Sequence, residues 1–435
     1  MQKFSKYNYL FENSAKYYIF NSISRFFAEL DKEAFEELKK WENNLYYDDT
    51  SRLPKELIGA KIFLSEQEER DEISKIRFNT YFRRFYNKSA TFVITPTYHC
   101  NFNCVYCYEA SRPAVYMDDT TEKNIVDFVK NMNLENFHIT WFGGEPLLNF
   151  RRIESLTGKI LGLGINYSAN IVTNGYLLDE NKISKFEDLH INSIQLTIDG
   201  LKKEHDRRRP HISGKSSFDR IMKNLDIFFS KNRNIRMNIR VNIDKNNEEQ
   251  YYPLLIDLKN KYPKIHISPA FVFIKDKNSM SYSDCMNSGI EKLKFNLELA
   301  QKMNKPFNLY PEQRSKECIA RIHNSFVIGA NGDMFKCYDN IGDVTKRIGN
   351  INNGEFNFDL YAHWMMGADP LNDPKCVECK LLPVCHGSCP MLRLENENAG
   401  EEIYSTCLIM KDIEEKILTL HLQQKEIYLK TVASR

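Results

Sequence analysis

The sequence predicts an α/β protein: six strands joined by helices into a parallel sheet curled as a partial (β/α)6 barrel, preceded by an N-terminal α+β unit and followed by a cysteine-rich C-terminal region. Three observations predict it. From residue 92 strand-like runs alternate with amphipathic helical patterns, the order expected of a parallel sheet. Residues 1–90 follow another pattern, strand candidates and then helices. Beyond residue 300 the chain becomes irregular and carries seven of its eleven cysteines.

In the N-terminal unit NYLFEN and KYYIFNSISRFFAEL read as short strands. DKEAFEELKKW (31–41) is helical, with Phe35, Leu38 and Trp41 on one side, and LSEQEERDEISKIRFNTYFRRF (64–85) is a second charged amphipathic stretch. The barrel strands are TFVIT before Pro96, HITWF (138–142), ANIVT (169–173), SIQLTI (193–198), IRMNIRVNI (235–243) and KIHISPAFV (264–272). Between them lie NIVDFVKNM (124–132), DRIMKNLDIFF (219–229) and YYPLLIDLKNKY (251–262), all with helical apolar spacing. The first follows Asp119 with Glu122 three positions on, a capping-box arrangement. A closing amphipathic helix carries Ile409, Ile413, Ile417 and Leu420. The expected segments are 1–90, 91–300, 301–410 and 411–435. In such sheets ligands sit at the C-terminal strand ends. YHCNFNCVYCYE (98–109), FGGEP (142–146) and TIDG (197–200) each follow a strand directly and are expected to face one another.

Composition excludes several classes. The 435 residues are 42% hydrophobic and 27% charged, with a formal charge of +2, so neither a nucleic-acid nor a membrane surface is indicated. No apolar run approaches a membrane span, and the first residues lack a signal peptide's apolar region. A cytoplasmic enzyme is expected, and its reduced thiols are better read as metal ligands than as disulfides.

Cys100, Cys104 and Cys107 are spaced C-x3-C-x2-C. Three thiolates on one loop hold three irons of a [4Fe–4S] cube and leave the fourth iron open. The other reading is a zinc knuckle borrowing a distant ligand, although zinc ordinarily takes a closed set of four. With an aromatic, Tyr106, before the last cysteine, and on the loop after the first barrel strand, the trio resembles the radical S-adenosylmethionine superfamily, whose fold is a TIM-like partial barrel. Gly143-Gly144-Glu145-Pro146 resembles the family's GGEP stretch, where backbone and carboxylate meet the methionine ammonium. Thr197 matches a ribose-contacting hydroxyl, Arg209 an arginine that pairs with the methionine carboxylate, and Tyr106 flanks the adenine. The resemblance implies that the open iron chelates S-adenosylmethionine and that one electron splits the sulfonium. The resulting 5′-deoxyadenosyl radical then takes a hydrogen from the substrate.

A second array follows: Cys318, Gly332-x4-Cys337, Cys376-x2-Cys379-x5-Cys385-x3-Cys389 and Cys407. By residues alone, two zinc sites also fit this grammar. The spacing resembles the SPASM extension of the superfamily, an iron-sulfur domain with two auxiliary [4Fe–4S] clusters, three clusters in all. That resemblance implies that Cys376, Cys379, Cys385 and Cys407 bind one cluster and Cys318, Cys337 and Cys389 the other. Some relatives carry a further cysteine where this chain has PEQRSKE (311–317). Cys285 completes the second set, or that iron is open to substrate, or Cys285 is a buried thiol.

The SPASM group includes maturases of ribosomally made peptides (RiPPs) and sulfatase-maturing enzymes. Peptide maturases often carry a winged-helix-like unit that grips the leader by strand addition, and residues 1–90 resemble it. Sulfatase maturases typically lack this unit and place an acid directly after the array's second cysteine. Here that position is Tyr338, with Asp339 one further on, on the other side of an extended segment. The expected function is therefore peptide maturation, installing a thioether or carbon–carbon crosslink on a precursor peptide with a leader, with a flavodoxin- or ferredoxin-type electron donor. The alternatives are formylglycine formation in sulfatases and a non-catalytic, metal-stabilised peptide-binding protein.

Overall fold

The structure, a computed structural model, describes residues 2–42, 57, 59–107, 113–231, 234–274, 283–303, 310–311, 317–385, 387–407, 411 and 413–422. They form two compact units that do not follow chain order. One comprises Tyr86–Lys292 and Ile319–Met365; the other comprises Met1–Phe85, Leu293–Cys318 and Met366–Arg435. The expected 301–410 segment is thus shared between them.

In the first of these units the six expected strands are Ser89–Ile94, Asn136–Trp141, Asn166–Thr173, Ile191–Thr197, Arg236–Ile243 and His266–Phe271. Each pairs in parallel with the next in sequence. A parallel sheet covered on both faces reads as unbroken apolar runs, but these strands alternate. Phe137, Ile139 and Trp141 are buried, as are Met237, Ile239 and Val241. The intervening His138, Thr140, Asn238, Arg240 and Asn242 are only half-buried. Cross-strand bonds on this second face join His138 Nδ1 to Ser168 Oγ at 2.8 Å and His266 Nδ1 to Asn238 Oδ1 at 2.8 Å. The sheet therefore has an apolar face for the connecting helices and a polar face that is not filled by core.

This sheet is larger than the sequence suggests. Ser325–Ile328 adds a seventh parallel strand beside Ser89–Ile94, followed by antiparallel Asp333–Phe335, Gly349–Asn350 and Glu355–Phe356. Part of the region expected to be irregular is sheet because Val327 and Phe335 bury themselves against Val93, with Phe142 beside them. The helix Asp119–Asn131 also starts differently. Asp118, not Asp119, is its N-cap, its carboxylate accepting from Thr121 N at 2.8 Å. Glu122 does not reach back to close a capping box. It is buried and taken by Arg152, Lys159 and Ser155.

The other unit opens with an antiparallel meander, Asn8–Asn13, Lys16–Asn21 and Phe26–Leu30. KYYIFNSISRFFAEL thus holds two strands, divided by a turn in which Arg25 takes a positive φ of 61°. Helices Lys32–Glu42 and Glu66–Arg84 follow, the second closed by a Ser65/Glu68 capping box. Chain ends share one core here: Tyr7, Ile23, Leu64 and Ile76 pack with Leu371 and Leu382. Lys6 Nζ donates to Val377 O (3.4 Å) and pairs with Glu378 (3.2 Å), while Ser22 Oγ donates to Lys380 O. Buried Arg84 grips Glu317 with two nitrogens (2.9 and 2.8 Å) and Asp369 with a third (2.5 Å). Residues 414–422 are helical, with Ile417 and Leu418 buried; Ile409 lies outside the described residues. No helix among the described residues is long and apolar enough to cross a membrane.

Candidate functional site

The sheet delivers three loops to the C-terminal ends of its first, second and fourth strands, and backbone contacts join the first two. Gly144 N donates to Thr97 O (3.3 Å) and Glu145 N to His99 O (2.9 Å). A Cβ on Gly144 would lie 2.4 Å from the carbonyl oxygens of both Tyr98 and His99. Gly143 has φ +108°, and its Cβ would strike Thr95. The glycines therefore let the FGGEP turn press directly on the cysteine loop.

Glu145 extends the weld to the third strand. It is fully buried. Its Oε1 accepts from Thr173 Oγ1 (2.7 Å) and Leu147 N (3.0 Å), and Oε2 from Asn174 N (2.8 Å). Burial pushes its carboxyl up, while these donors and the Arg209 charge oppose that rise. Asn174 in turn donates through Nδ2 to Asn101 Oδ1 (2.7 Å) inside the cysteine loop. Pro146 opens a 3-10 turn, Pro146–Asn149, capped by Glu145.

The second hub centres on Tyr106. Its hydroxyl donates to Asp199 Oδ2 and accepts from Arg209 Nη1 (2.6 Å) and Asn242 Nδ2 (2.9 Å). Asp199 also accepts from Asn242 N (2.9 Å), and the Arg208 guanidinium lies over the Tyr106 ring, 5.1 Å from its centroid. Burial raises the Tyr106 phenol well above its ordinary value and pushes Asp199 up, opposed at Asp199 by Arg209, Tyr106 and Arg208. Buried His205 accepts from Asp199 N (3.3 Å) and is pushed down to about 3, first by burial and then by the Arg209 charge. Thr197 ends its strand nearly buried and in register with Arg240. Sequence reasoning missed Asn174, Asp199, Arg208 and Asn242. Their signal was position: Asn174 and Asp199 sit just past strand ends and Asn242 is the second-last residue of its strand, where barrel ligands gather.

The three loop cysteines are half-buried and none is in a disulfide. Cys107 N donates to Cys104 O (3.3 Å), and Phe102 N approaches Cys100 Sγ at 3.5 Å. Burial opposes charge on Arg209, but Cys104, Tyr106 and Asp199 beside it hold the guanidinium well above its ordinary range. Around the loop, Arg209 Nε, Asn101 Nδ2 and Thr95 Oγ1 are buried with no hydrogen-bond partner among the described residues. Orphaned buried donors call for a ligand, and a guanidinium N–H suits a carboxylate.

In the other unit Cys376, Cys379, Cys385 and Cys407 line one cavity of about 630 Å³ together with Arg393 and Lys411. Burial pushes the Cys376 thiol up to about 11, opposed by Arg393. Cys389 stands at the start of helix Pro390–Ala399. Cys318 belongs to this unit and Cys337 to the sheet unit. Cys285 is fully buried, its thiol raised by that burial. Among the described residues no three His, Cys, Asp or Glu side chains converge as ligands of a single ion would; a cube is instead held by one sulfur at each corner. The segment after Cys337 is a 3-10 turn, Tyr338–Asn340, and not extended. Successive side chains there turn by about 120° rather than alternating, and the Tyr338 ring meets Phe142 at 5.6 Å.

Known proteins are similar to this chain. The model of the radical SAM superfamily matches residues 94–255. Uncharacterized protein MJ0907 of Methanocaldococcus jannaschii is 30% identical over 271 residues, 60% of this chain and 88% of that protein. The serine-type anaerobic sulfatase-maturating enzyme of Bacteroides thetaiotaomicron is 23% identical over 69% of this chain and 82% of its own length. Among solved structures, Streptococcus suis SuiB bound to precursor peptide SuiA aligns with a TM-score of 0.52 at 17% identity, over 94% of this chain and 99% of SuiB, which is a likeness of fold. With the family model spanning the cysteine loop and the polar hubs, and a relative matched along most of its length, the chain belongs to the radical SAM superfamily.

Proposed function

We propose that this radical SAM enzyme matures a ribosomally made precursor peptide, installing a thioether or carbon–carbon crosslink. The observation that carries the choice over sulfatase maturation is Tyr338. An aromatic, half-exposed and set against Phe142, stands directly after Cys337 where the sulfatase reading needs a carboxylate. The SuiB–SuiA complex, a likeness of fold, supports a peptide partner. Sulfatase maturation remains the second reading, favoured by the 23% identity to the Bacteroides enzyme.

In this reading Cys100, Cys104 and Cys107 hold three corners of a [4Fe–4S] cube. The donor set fits: three thiols on one short loop, outside any disulfide, with the Arg209 guanidinium beside Cys104. When bound, that cluster and S-adenosylmethionine supply the one-electron chemistry that removes a hydrogen from the substrate. The protein's residues bind and orient. Arg209, kept charged and with an unsatisfied Nε, takes the methionine carboxylate. The Gly143–Gly144 backbone and Glu145 face the ammonium, Thr197 the ribose and Tyr106 the adenine. Pro146 fixes the turn that aims them. Cys376, Cys379, Cys385 and Cys407 hold one auxiliary cluster, and Cys318, Cys337 and Cys389 ligate another. The N-terminal unit, residues 1–90, receives the leader, and a flavodoxin- or ferredoxin-type protein supplies electrons in the cytoplasm.

The test is co-expression with candidate precursor peptides, followed by mass spectrometry and an aldehyde-reactive hydrazide. A dehydrogenated, crosslinked peptide without an aldehyde supports this reading. An aldehyde formed on a sulfatase-derived peptide would replace it with formylglycine formation.

A further inference from the structure

The cysteine-lined cavity has a feature that ligand spacing does not explain: two of its four sulfurs receive an N–H from a cationic side chain. Arg393 Nη1 donates to Cys376 Sγ at 3.5 Å, and Lys411 Nζ to Cys407 Sγ at 3.5 Å. The two cations are held very differently. Lys411 is exposed. Arg393 is 8% exposed and its guanidinium is anchored on two further sides. Its Nε donates to Ala368 O (2.8 Å) and its Nη2 to Asp373 Oδ2 (2.5 Å). Asp373 itself caps the short helix Pro374–Val377 that carries Cys376, accepting from Lys375 N at 2.9 Å. At its other end Arg393 belongs to helix Pro390–Ala399, where its N donates to Cys389 O (3.2 Å). One side chain thus spans from the helix that begins after Cys389 to the turn that presents Cys376, and points its remaining N–H at a sulfur.

We propose that Arg393 is a positioning residue that sets the reduction potential of the auxiliary cluster held by Cys376, Cys379, Cys385 and Cys407. The inference rests on the proposed cluster assignment. Adding one electron to a cube increases its negative charge, and hydrogen bonds to its sulfurs and nearby positive charge favour that reduced form. Arginine cannot lose its proton in a protein, so the donor is permanent. Asp373 neutralises part of the charge but locks the fork in place, so the directed N–H carries the effect. The Lys411 ammonium, in solvent, is screened and contributes less.

The test is an anaerobic redox titration of the reconstituted full-length protein, read by electron paramagnetic resonance and by iron content. Wild type, Arg393→Gln, Arg393→Lys and Lys411→Gln are compared. Arg393→Gln is expected to keep its iron and to lower the midpoint so that the reduced-to-oxidised ratio at the wild-type midpoint falls about tenfold, about 59 mV for one electron. Arg393→Lys recovers part of the shift, and Lys411→Gln moves the midpoint least. An unchanged midpoint in Arg393→Gln at full iron content overturns the proposal. If Arg393→Gln loses iron, Arg393→Lys decides: a wild-type midpoint refutes the role and a lowered one supports it. The cluster assignment fails separately, if Cys376→Ala leaves total iron unchanged.

Discussion

The strand-end site of the sheet unit and the cysteine cavity of the other unit differ in what holds them. At the strand ends every loop is tied to its neighbours by protein bonds: Gly144 to Thr97, Glu145 to Thr173 and Asn174, Asn174 to Asn101, Tyr106 to Asp199 and Asn242. The residues fall between 97 and 242 in chain order, at strand C-terminal ends or in the loops that follow them. The cavity instead draws on helices of four residues, Pro374–Val377 and Leu382–Cys385, and on a core shared with residue 7 and residue 64. One site is tied together by a polar network of the protein's own groups. The other has little regular backbone of its own and depends on remote packing and buried ion pairs, to which the proposed cluster would add.

The widest separation comes from the cysteines themselves. Changing Cys100, Cys104 and Cys107 to Ala is expected to abolish 5′-deoxyadenosine formation and remove about four of about twelve irons. Changing Cys376, Cys379 and Cys385 should remove iron while leaving S-adenosylmethionine cleavage. Deoxyadenosine release that survives the first triple change would end the assignment of the loop.

Next is the buried charge that braces the cavity's unit. Arg84→Met leaves Asp369 and Glu317 without their cation; the Asp369 side chain is 1% exposed. The expected loss is about 3–5 kcal/mol in chemical unfolding, with deoxyadenosine formation by the folded protein changed little. A loss below 1 kcal/mol would mean the brace is not structural.

At the strand ends, Gly144→Ala must push the Tyr98 and His99 carbonyls aside. Overpacking of this kind costs about 1–3 kcal/mol. We expect S-adenosylmethionine affinity to drop about tenfold, which is about 1.4 kcal/mol, with the Cys376 cluster signal unaltered. Calorimetry with the cofactor checks the first, and electron paramagnetic resonance the second.

The remaining expectation, confined to acid pH, is a pH dependence of stability. His205 is held neutral, its folded value near 3 lying below an unfolded value of about 6.5. Below pH 6.5 the unfolded chain gains a proton that the folded one does not take up. Stability from this group is complete above 6.5 and lost as pH falls, about 2 kcal/mol by pH 5. Unfolding of His205→Gln should show a shallower acid slope; equal slopes would place the acid sensitivity elsewhere.

Much of this was legible in the sequence. Alternating strand runs gave all six parallel strands to within three residues, because period-two patterning and helix spacing are local signals. C-x3-C-x2-C and GGEP are local too, since a loop that grips one cluster must supply its thiols within a short stretch. Their side-chain partners were not legible. Nothing in the sequence links Glu145 to Asn174, or Tyr106 to Asn242, because these bonds cross strands and depend on which residues reach the same rim.

What the sequence determined by itself was therefore the order of the elements, the spacing of the cysteine loop and the family, all carried by patterns a few residues long. The tertiary structure alone decided that strands from Ser325–Ile328 to Glu355–Phe356 extend the main sheet while Tyr7, Ile23, Leu64 and Ile76 share a core with Leu371 and Leu382. It also decided that Arg84 meets Asp369 and Arg393 meets Cys376. The physical reason is that buried charge and apolar surface are satisfied by whatever the fold brings near, without regard to distance along the chain.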